Sequence, residues 1–127
     1  MAPSGSAITR LSEQLTRKIG ATYPGLAWLD LSNNRVERLE NLAPLRSLSG
    51  LDLSFNALAE LRLGDVAALP ALATLVLANN AVERVTGPGA GESAPPLVAL
   101  DLACNAIRSV SALAGIGALV RARLRCE

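Results

Sequence analysis

The sequence predicts an α/β solenoid in which short parallel strands stack along one face and a helix caps the N-terminal end. Three observations support this prediction. A leucine pattern recurs along the chain, an asparagine closes each copy at a fixed position, and an amphipathic segment precedes the first copy. With 127 residues, of which 50% are hydrophobic, the chain is large enough for one domain with a buried core.

Four stretches share the pattern L-x-x-L-x-L-x-x-N-x-φ-x-x-φ, where φ is an aliphatic residue. They begin at Leu26, Leu48, Leu72 and Leu97. Each contains one asparagine at the same place: Asn34, Asn56, Asn80 and Asn105. These asparagines lie 22, 24 and 25 residues apart, a period typical of solenoids. A fifth copy begins at Leu119 but has Ala122 at its second leucine position. We therefore predict an N-terminal tail and capping helix over 1–25, followed by four complete repeats and one incomplete repeat over 26–127.

The L-x-L alternation in each repeat predicts a short strand whose leucines point into the core while the residues between them face solvent. The returns between strands are expected to bury further aliphatic residues, among them Val36, Leu39, Leu42 and Leu45. Where the chain leaves each strand, buried amides and carbonyls lack ladder partners, and an asparagine side chain can satisfy both kinds of group. Stacked repeats therefore predict a ladder of asparagines, whose role is stability and not chemistry.

The segment "SAITRLSEQLTRKIG" predicts the capping helix. Its apolar residues recur at helical spacing: Ile8, Leu11, Leu15 and Ile19. Ser6 is the expected N-cap and Gly20 the expected end of the helix. A helix that binds a membrane or a partner is the alternative. Further along, residues 86–96 read "TGPGAGESAPP", which predicts a mobile surface loop, with a docking element as the alternative.

Composition narrows the possible functions. The chain contains no histidine, which excludes histidine-based triads and histidine-ligated zinc sites. The net charge of +1 gives no overall attraction to nucleic acid or anionic membranes. The longest nearly apolar run, "VAALPALATLVLA", is 13 residues long, whereas a membrane-spanning helix needs about 20. We therefore expect a cytoplasmic protein with no membrane partner. A ciliary, centrosomal or nuclear location is the alternative.

The two cysteines, Cys104 and Cys126, occupy equivalent positions in neighbouring repeats and are expected to lie close together. Because the sequence shows no disulfide framework, we expect small, reduced packing residues in a reducing compartment. Oxidation of the pair is the alternative.

Three aspartates, Asp30, Asp52 and Asp101, occupy the same position in their repeats, and Val76 interrupts the column. Adjacent strands lie about 4.8 Å apart, so Asp30 and Asp52 are expected to approach each other as paired acids do in hydrolases. No base or oxyanion donor is identifiable beside them, and an open sheet does not exclude water. We therefore predict that the protein is not an enzyme and needs no cofactor or metal. The column is then a solvated acidic surface or part of a partner-binding site.

The repeats, seen most clearly in "LDLSNNRVERLENLAPLRSLSGLDLSFNAL", resemble the leucine-rich repeat family and its 22-residue yeast phosphatase-1-regulator-type class. The resemblance implies a right-handed horseshoe whose concave sheet holds other proteins. Its class includes phosphatase-1 regulators, axonemal dynein light chains, RNA-export adaptors and centrosomal scaffolds. It therefore implies an adaptor, targeting or regulatory subunit of cytoskeletal, ciliary or phosphatase-regulator type. The chain departs from the family in its extended third repeat and in its missing C-terminal cap. We expect the last strand edge to be protected by charge, covered by a partner or by a second copy through self-association, or continued in a longer polypeptide.

The outward strand positions form the predicted concave face, which spans roughly 19 Å and suits a helix of about 13 residues or an extended segment of a partner protein. The candidate partner-binding residues are Trp28, Asp30, Ser32, Asp52, Ser54, Val76, Asp101, Arg121, Arg123 and Arg125. Tryptophan and arginine most often dominate binding energy, and small residues such as Gly50 are expected to let a ligand approach closely.

Alternatives remain for both ends of this face. Trp28 is either a binding residue or a residue packed under the N-terminal cap. The arginines of "RARLR" either bind a partner or protect the last strand edge by their charge. The alternative function is an RNA-associated adaptor that uses this arginine strand, although one Trp, one Tyr and one Phe offer little base stacking.

Overall fold

The computed structural model describes residues 7–87, 96–109 and 121–126. Two helices and seven short strands lie within these residues. In chain order they are α1 (Glu13–Thr22), β1 (Trp28–Asp30), β2 (Gly50–Asp52), β3 (Glu60–Arg62), α2 (Leu63–Val66), β4 (Thr74–Val76), β5 (Arg84–Thr86), β6 (Ala99–Asp101) and β7 (Arg121–Arg123). The L-x-L motif of each repeat therefore forms a strand at the predicted place.

The main sheet has one strand from each repeat, all parallel, in the order β1-β2-β4-β6-β7. Its register aligns the repeats residue for residue. The central positions of the five strands are Leu29, Leu51, Leu75, Leu100 and Ala122. A return segment of about twenty residues joins consecutive strands, which is ample for a parallel crossover. The fold is an α/β solenoid of short parallel strands with an N-terminal helix, as the sequence predicts.

A second, two-stranded sheet lies in the return segments of the second and third repeats, and the sequence did not predict it. Its strands β3 and β5 are parallel, with Leu61 aligned to Val85. Both of these central residues are buried, whereas Arg62 and Arg84 are exposed. Stacking of equivalent repeats places these two extended segments side by side, so they pair even though neither has a strong strand pattern of its own.

The core is aliphatic. The residues predicted to be buried by the first return, Val36, Leu39, Leu42 and Leu45, are between 0% and 4% exposed. Among the described residues, the buried cluster contains no aromatic side chain. The single tyrosine, tryptophan and phenylalanine of the chain are exposed instead, at 60%, 50% and 55% for Tyr23, Trp28 and Phe55. The aromatic residues are thus free to act at the surface.

The predicted asparagine ladder is present, and Asn56 shows its geometry. Its amide nitrogen donates to the carbonyls of Leu53 at 3.0 Å and Leu31 at 3.1 Å, while its Oδ1 accepts the amide of Val36 at 2.9 Å. Corresponding bonds are formed by the other three members: Asn34, Asn80 and Asn105. Each side chain satisfies backbone groups of its own repeat and of the preceding turn, so the ladder links neighbouring repeats.

The residue before each ladder asparagine has a left-handed backbone. The φ angles of Asn33, Phe55, Asn79 and Cys104 are 60°, 56°, 58° and 59°. Asparagine adopts this conformation more readily than phenylalanine or cysteine does. The turn out of the strand is therefore imposed by the repeat geometry and not by the local residue.

The N-terminal cap differs from the prediction in its boundaries. Ser12, not Ser6, is the N-cap of α1, and its hydroxyl accepts the amide of Leu15 at 3.1 Å. The helix also continues past Gly20 to Thr22. Ile8 lies before the helix, and its amide donates to Oδ1 of Asn34 at 2.8 Å. This bond is equivalent to the one between the Val36 amide and Asn56 in the ladder. The segment around Ile8 therefore takes the place of a preceding repeat.

Gly20 has a packing role within α1. A Cβ placed there would lie 2.5 Å from the carbonyl oxygen of Pro44. The glycine therefore allows the helix to pack closely against the first return segment, and it does not end the helix.

The expectation of reduced cysteines is wrong, because Cys104 and Cys126 form a disulfide. Their Cα atoms are 4.3 Å apart, close to the spacing of adjacent strands. Residues at the same position in neighbouring repeats are brought together by stacking, so the pair meets without any special loop. The bond links the fourth repeat to the chain that follows β7.

One prediction falls mostly on residues that the structure does not describe. Most of the loop predicted at 86–96 lies outside the described residues, as does 110–120 before β7. Within the residues that are described, no helix is both long and apolar enough to cross a membrane.

Candidate functional site

The solvent side of the five-stranded sheet is the candidate site, and we call it the open sheet face. It is defined by the outer positions of the five strands: Trp28, Asp30, Gly50, Asp52, Thr74, Val76, Ala99, Asp101, Arg121 and Arg123. It corresponds to the face predicted to be concave. On β2, β4 and β6, the residues at these positions alternate with the leucines that fill the core, as the sequence predicts.

Trp28 lies at one end of this face. Its indole is 50% exposed and packs on the neighbouring strand, where Gly50 is its register partner. A Cβ placed on Gly50 would lie 2.0 Å from Cε3 of the indole. The structure therefore contradicts the alternative that Trp28 is packed under the N-terminal cap. It also corrects the expected role of Gly50, which accommodates the indole and is covered by it.

Asp30 is bound to the turn that follows its own strand. Its Oδ1 accepts both the hydroxyl of Ser32 at 2.6 Å and the amide of Ser32 at 2.9 Å. The hydroxyl bond, and then the amide bond, hold the pKa of the Asp30 carboxyl below its ordinary value, since both stabilise the carboxylate. Asp30 is therefore a fixed negative charge at neutral pH.

The other two aspartates of the column make related bonds. Oδ1 of Asp52 accepts the hydroxyl of Ser54 at 2.7 Å and its amide at 2.9 Å. Oδ1 of Asp101 accepts the amide of Ala103 at 3.0 Å. The column thus has a structural task, which is to hold the turn after each strand. Only one oxygen of each carboxylate is used for it.

The geometry does not favour acid–base chemistry at Asp30 and Asp52. The two residues are register partners on adjacent strands, as predicted. Oδ1 of each carboxylate is already bound by the serine of its own turn, and both residues lie on an open sheet that does not exclude water. Across the part of the chain that is described, no group of three or more acidic or cysteine side chains is arranged to hold a metal ion.

At the opposite end of the face, Arg123 lies beside Asp101, its register partner. The Nη1 of Arg123 is 3.7 Å from Oδ2 of Asp101. Both side chains are accessible to solvent, so the pair contributes at most about 1 kcal/mol. A depression of about 240 Å³ lies between these two residues and Thr74, Val76 and Ala99. Small and apolar side chains thus form the middle of the face.

The remaining candidate residues fall into three groups. Ser32 and Ser54 face their aspartates and organise the turns. Arg125 is exposed beyond the end of β7. Arg121 aligns with Ala99, but its side chain lies outside the described part of the structure. Contact of any of these residues with a partner stays a prediction.

Two features of the site were missed by sequence reasoning. The packing of Trp28 on Gly50 was missed, although a glycine one repeat after a tryptophan, at the same position, is a usable signal. The pairing of Asp101 with Arg123 was missed because it depends on the register of the incomplete repeat.

The repeat fold has a direct counterpart among known families. A family model described as leucine rich repeat matches residues 24–82, which include the first two complete repeats and the part of the third that carries β4 and Asn80. The chain is a leucine-rich repeat solenoid. Proteins with such repeats generally mediate protein–protein interaction, and they are typically modules without catalytic activity. The match does not distinguish the 22-residue class that the sequence resembles, so membership of this class stays a prediction.

The leucine-rich repeat solenoid is also similar to the leucine-rich repeat-containing G-protein coupled receptor 5 of Rattus norvegicus. The two are 36% identical over 86 residues. This stretch is 68% of the present chain and 9% of the receptor, so the chain corresponds to a small part of the receptor's length.

Proposed function

We propose that the open sheet face binds a segment of a partner protein and that the chain acts as an adaptor, targeting or regulatory subunit. The observation that carries this proposal is the placement of Trp28. Its indole stands half exposed on the sheet, although the large core next to it is aliphatic and buried. Tryptophan is among the residues that most often dominate the energy of protein interfaces.

The shape of the face supports a peptide or helix as the ligand. Thr74, Val76 and Ala99 give it a shallow apolar centre beside charged residues. An apolar centre with a polar rim is the usual anatomy of a protein–protein interface. A small-molecule site is less well supported, because such sites are enclosed pockets and this depression lies on an open sheet.

The type of partner is proposed from resemblance alone. The repeat pattern supports a regulatory or targeting subunit of phosphatase-regulator, cytoskeletal or ciliary type. The relative's name describes a receptor, which supports instead the recognition of a ligand by a receptor-like chain. Both proposals use the same open sheet face.

The disulfide bears on the compartment. The expected cytoplasmic location rested in part on free thiols, whereas Cys104 and Cys126 are bonded to each other. Disulfides persist in oxidising compartments and are rare in the cytosol. We therefore favour folding in an oxidising compartment, which fits the receptor-like type better than the cytoskeletal or phosphatase-regulator type. The cytoplasmic location, with a partner of the latter types, remains the alternative.

The RNA-associated alternative has less support. Arg123 already lies beside Asp101, and Asp30 and Asp52 add negative charge to the same face. Phosphate backbones are repelled by such a surface. Self-association through the outer edge of β7 stays a separate prediction, which sedimentation equilibrium of the purified protein tests.

Site-specific photo-crosslinking tests the proposal. A photoreactive amino acid replaces Val76 in the centre of the open sheet face, and the matched control carries it at Arg84, which is exposed in the second sheet. We expect a protein adduct from the Val76 probe that is lost on Trp28→Ala substitution. Adducts of equal yield from Arg84, or adducts that survive Trp28→Ala, contradict the proposal. An RNA adduct that disappears in high salt would favour the alternative.

A further inference from the structure

The open sheet face has opposite charges at its two ends. On the first two strands, Asp30 and Asp52 lie side by side and each uses only Oδ1 for its turn. Among the described residues, no basic side chain forms an ion pair with either aspartate. On the last strand and just beyond it stand Arg123 and Arg125. The basic side chain described on the sheet itself, Arg123, therefore lies at the opposite end from Asp30 and Asp52.

The acidic end also carries an aromatic surface. Trp28 begins the strand that ends with Asp30, and its half-exposed indole faces solvent. A cation placed on a tryptophan is attracted by the ring and, here, by the neighbouring carboxylates as well. Such an arrangement fits the side chain of lysine or arginine better than any neutral or acidic group.

At the basic end, Asp101 neutralises only part of the positive charge. It lies beside Arg123, whereas Arg125 is exposed past the strand. An acidic side chain of a ligand can replace Asp101 as the partner of Arg123 or add to it. Between the two ends, Thr74, Val76 and Ala99 carry no charge.

We propose that the open sheet face selects a protein segment with a fixed order of charge: a basic residue over β1 and β2, an apolar centre, and an acidic residue over β7. This inference rests on the proposed function and specifies its ligand. Four strand spacings of about 4.8 Å separate the ends, so the two charged residues are about six positions apart in an extended segment and about thirteen apart in a helix. A bound helix also lies with its N-terminus at the acidic end, because its dipole is positive there.

Selection of peptides from a displayed library tests the charge order. The probe is a phage library of random 16-residue peptides, selected on the folded 127-residue chain at low salt. We expect the enriched peptides to contain a basic and an acidic residue at one of the two separations. The single tryptophan reports binding at the acidic end by a change in its fluorescence.

Neutral variants separate the two ends without disturbing the turns. The acidic-end variant is Asp30→Asn with Asp52→Asn, because an amide oxygen still accepts the bonds from the serines. The basic-end variant is Arg123→Gln with Arg125→Gln. The control for charge removal at another site is Arg84→Gln, in the second sheet.

Each variant is expected to affect one end of the ligand. The acidic-end variant loses the preference for the basic residue and binds the best wild-type peptide about five- to tenfold more weakly. The basic-end variant loses the preference for the acidic residue only, and Arg84→Gln changes neither preference. Circular dichroism and thermal denaturation confirm that the variants are folded.

The outcomes separate this inference from the proposed function. Peptides that require Trp28 but show no charge order, or show the reverse order, overturn the inference and leave the binding function in place. Peptides that bind equally well to Trp28→Ala and Val76→Glu variants overturn the binding function, and the inference with it. A library that yields no peptide at all counts against both.

Discussion

The indole of Trp28 occupies the space in which a side chain at Gly50 would stand, since a Cβ there would lie 2.0 Å from its Cε3. The two residues are register partners on β1 and β2. The packing fixes one surface of the indole on the sheet and leaves half of the side chain in solvent. Because the chain has one tryptophan, its fluorescence reports on this contact alone.

Gly50→Ala should displace the indole from β2. We expect the Trp28 emission to shift to the red, because the indole moves further into water. Alanine favours the strand by about 0.5 to 1 kcal/mol, which offsets the lost packing, so the free energy of unfolding changes by less than about 1 kcal/mol. Thr74→Ala, at the same position of the adjacent strand β4, is the control and should leave the emission unchanged. An unshifted Gly50→Ala spectrum contradicts the packing described here.

Asn80→Ala should break the ladder in the middle of the solenoid. The side chain donates to the carbonyls of Leu53 and Leu77 and accepts the amide of Leu58. Each orphaned group costs about 1 to 3 kcal/mol, so we expect the free energy of unfolding to fall by at least about 2 kcal/mol. Urea denaturation measures the loss, with Thr74→Ala as a control on the solvent side of the same repeat. Equal midpoints for the two variants would argue against the ladder's structural role.

Reduction of the Cys104–Cys126 disulfide should destabilise the C-terminal end. The bond closes a loop with a sequence separation of 22 residues, and the chain-entropy model gives about 3 kcal/mol for a loop of this size. We expect a lower melting temperature in the presence of a reductant, and the Cys104→Ser variant should match the reduced protein. Thiol titration of the denatured, unreduced protein supplies the check: two reactive thiols would show that the bond does not form.

Ser32→Ala should raise the pKa of Asp30 towards its ordinary value. The hydroxyl of Ser32 is the main cause of the lowered pKa, and the Ser32 amide is the second cause and remains in the variant. A carboxyl whose pKa is lowered in the folded state adds stability above its unfolded pKa, and this stability is lost as pH falls through the folded pKa. Ser32→Ala should therefore weaken the dependence of stability on acidic pH. Carbon-detected NMR titration of the Asp30 carboxyl follows the change directly, and an unaltered titration curve would rule out the hydroxyl as its cause.

The helix boundaries show why local signals failed at the N-terminal cap. Ser6 and Gly20 fit the usual start and stop patterns, yet the helix begins after Ser12 and passes through Gly20. The start has a local signal in Ser12, which caps the amide of Leu15. The contacts of Ile8 with Asn34 and of Gly20 with Pro44, in contrast, are distant in sequence. A pattern of residues within one segment contains no information on these partners.

The sequence by itself determined the repeat unit, the strand in each copy, the inward leucines and the asparagine ladder. It could do so because stacking of identical units makes the environment of each position the same in every repeat, so a local pattern describes a tertiary contact. The same logic predicted the acidic column and the candidate residues of the open sheet face.

The tertiary structure alone decided which neighbours those positions meet. It placed the Trp28 indole on Gly50 and set Arg123 beside Asp101. It also joined Cys104 and Cys126, whose proximity the sequence predicted, in a disulfide that the sequence did not favour. It also imposed a left-handed backbone on Phe55, which has little preference for it. The physical reason is that these features depend on the register between repeats, which is fixed by the packing of the whole core and overrides the preference of any single residue.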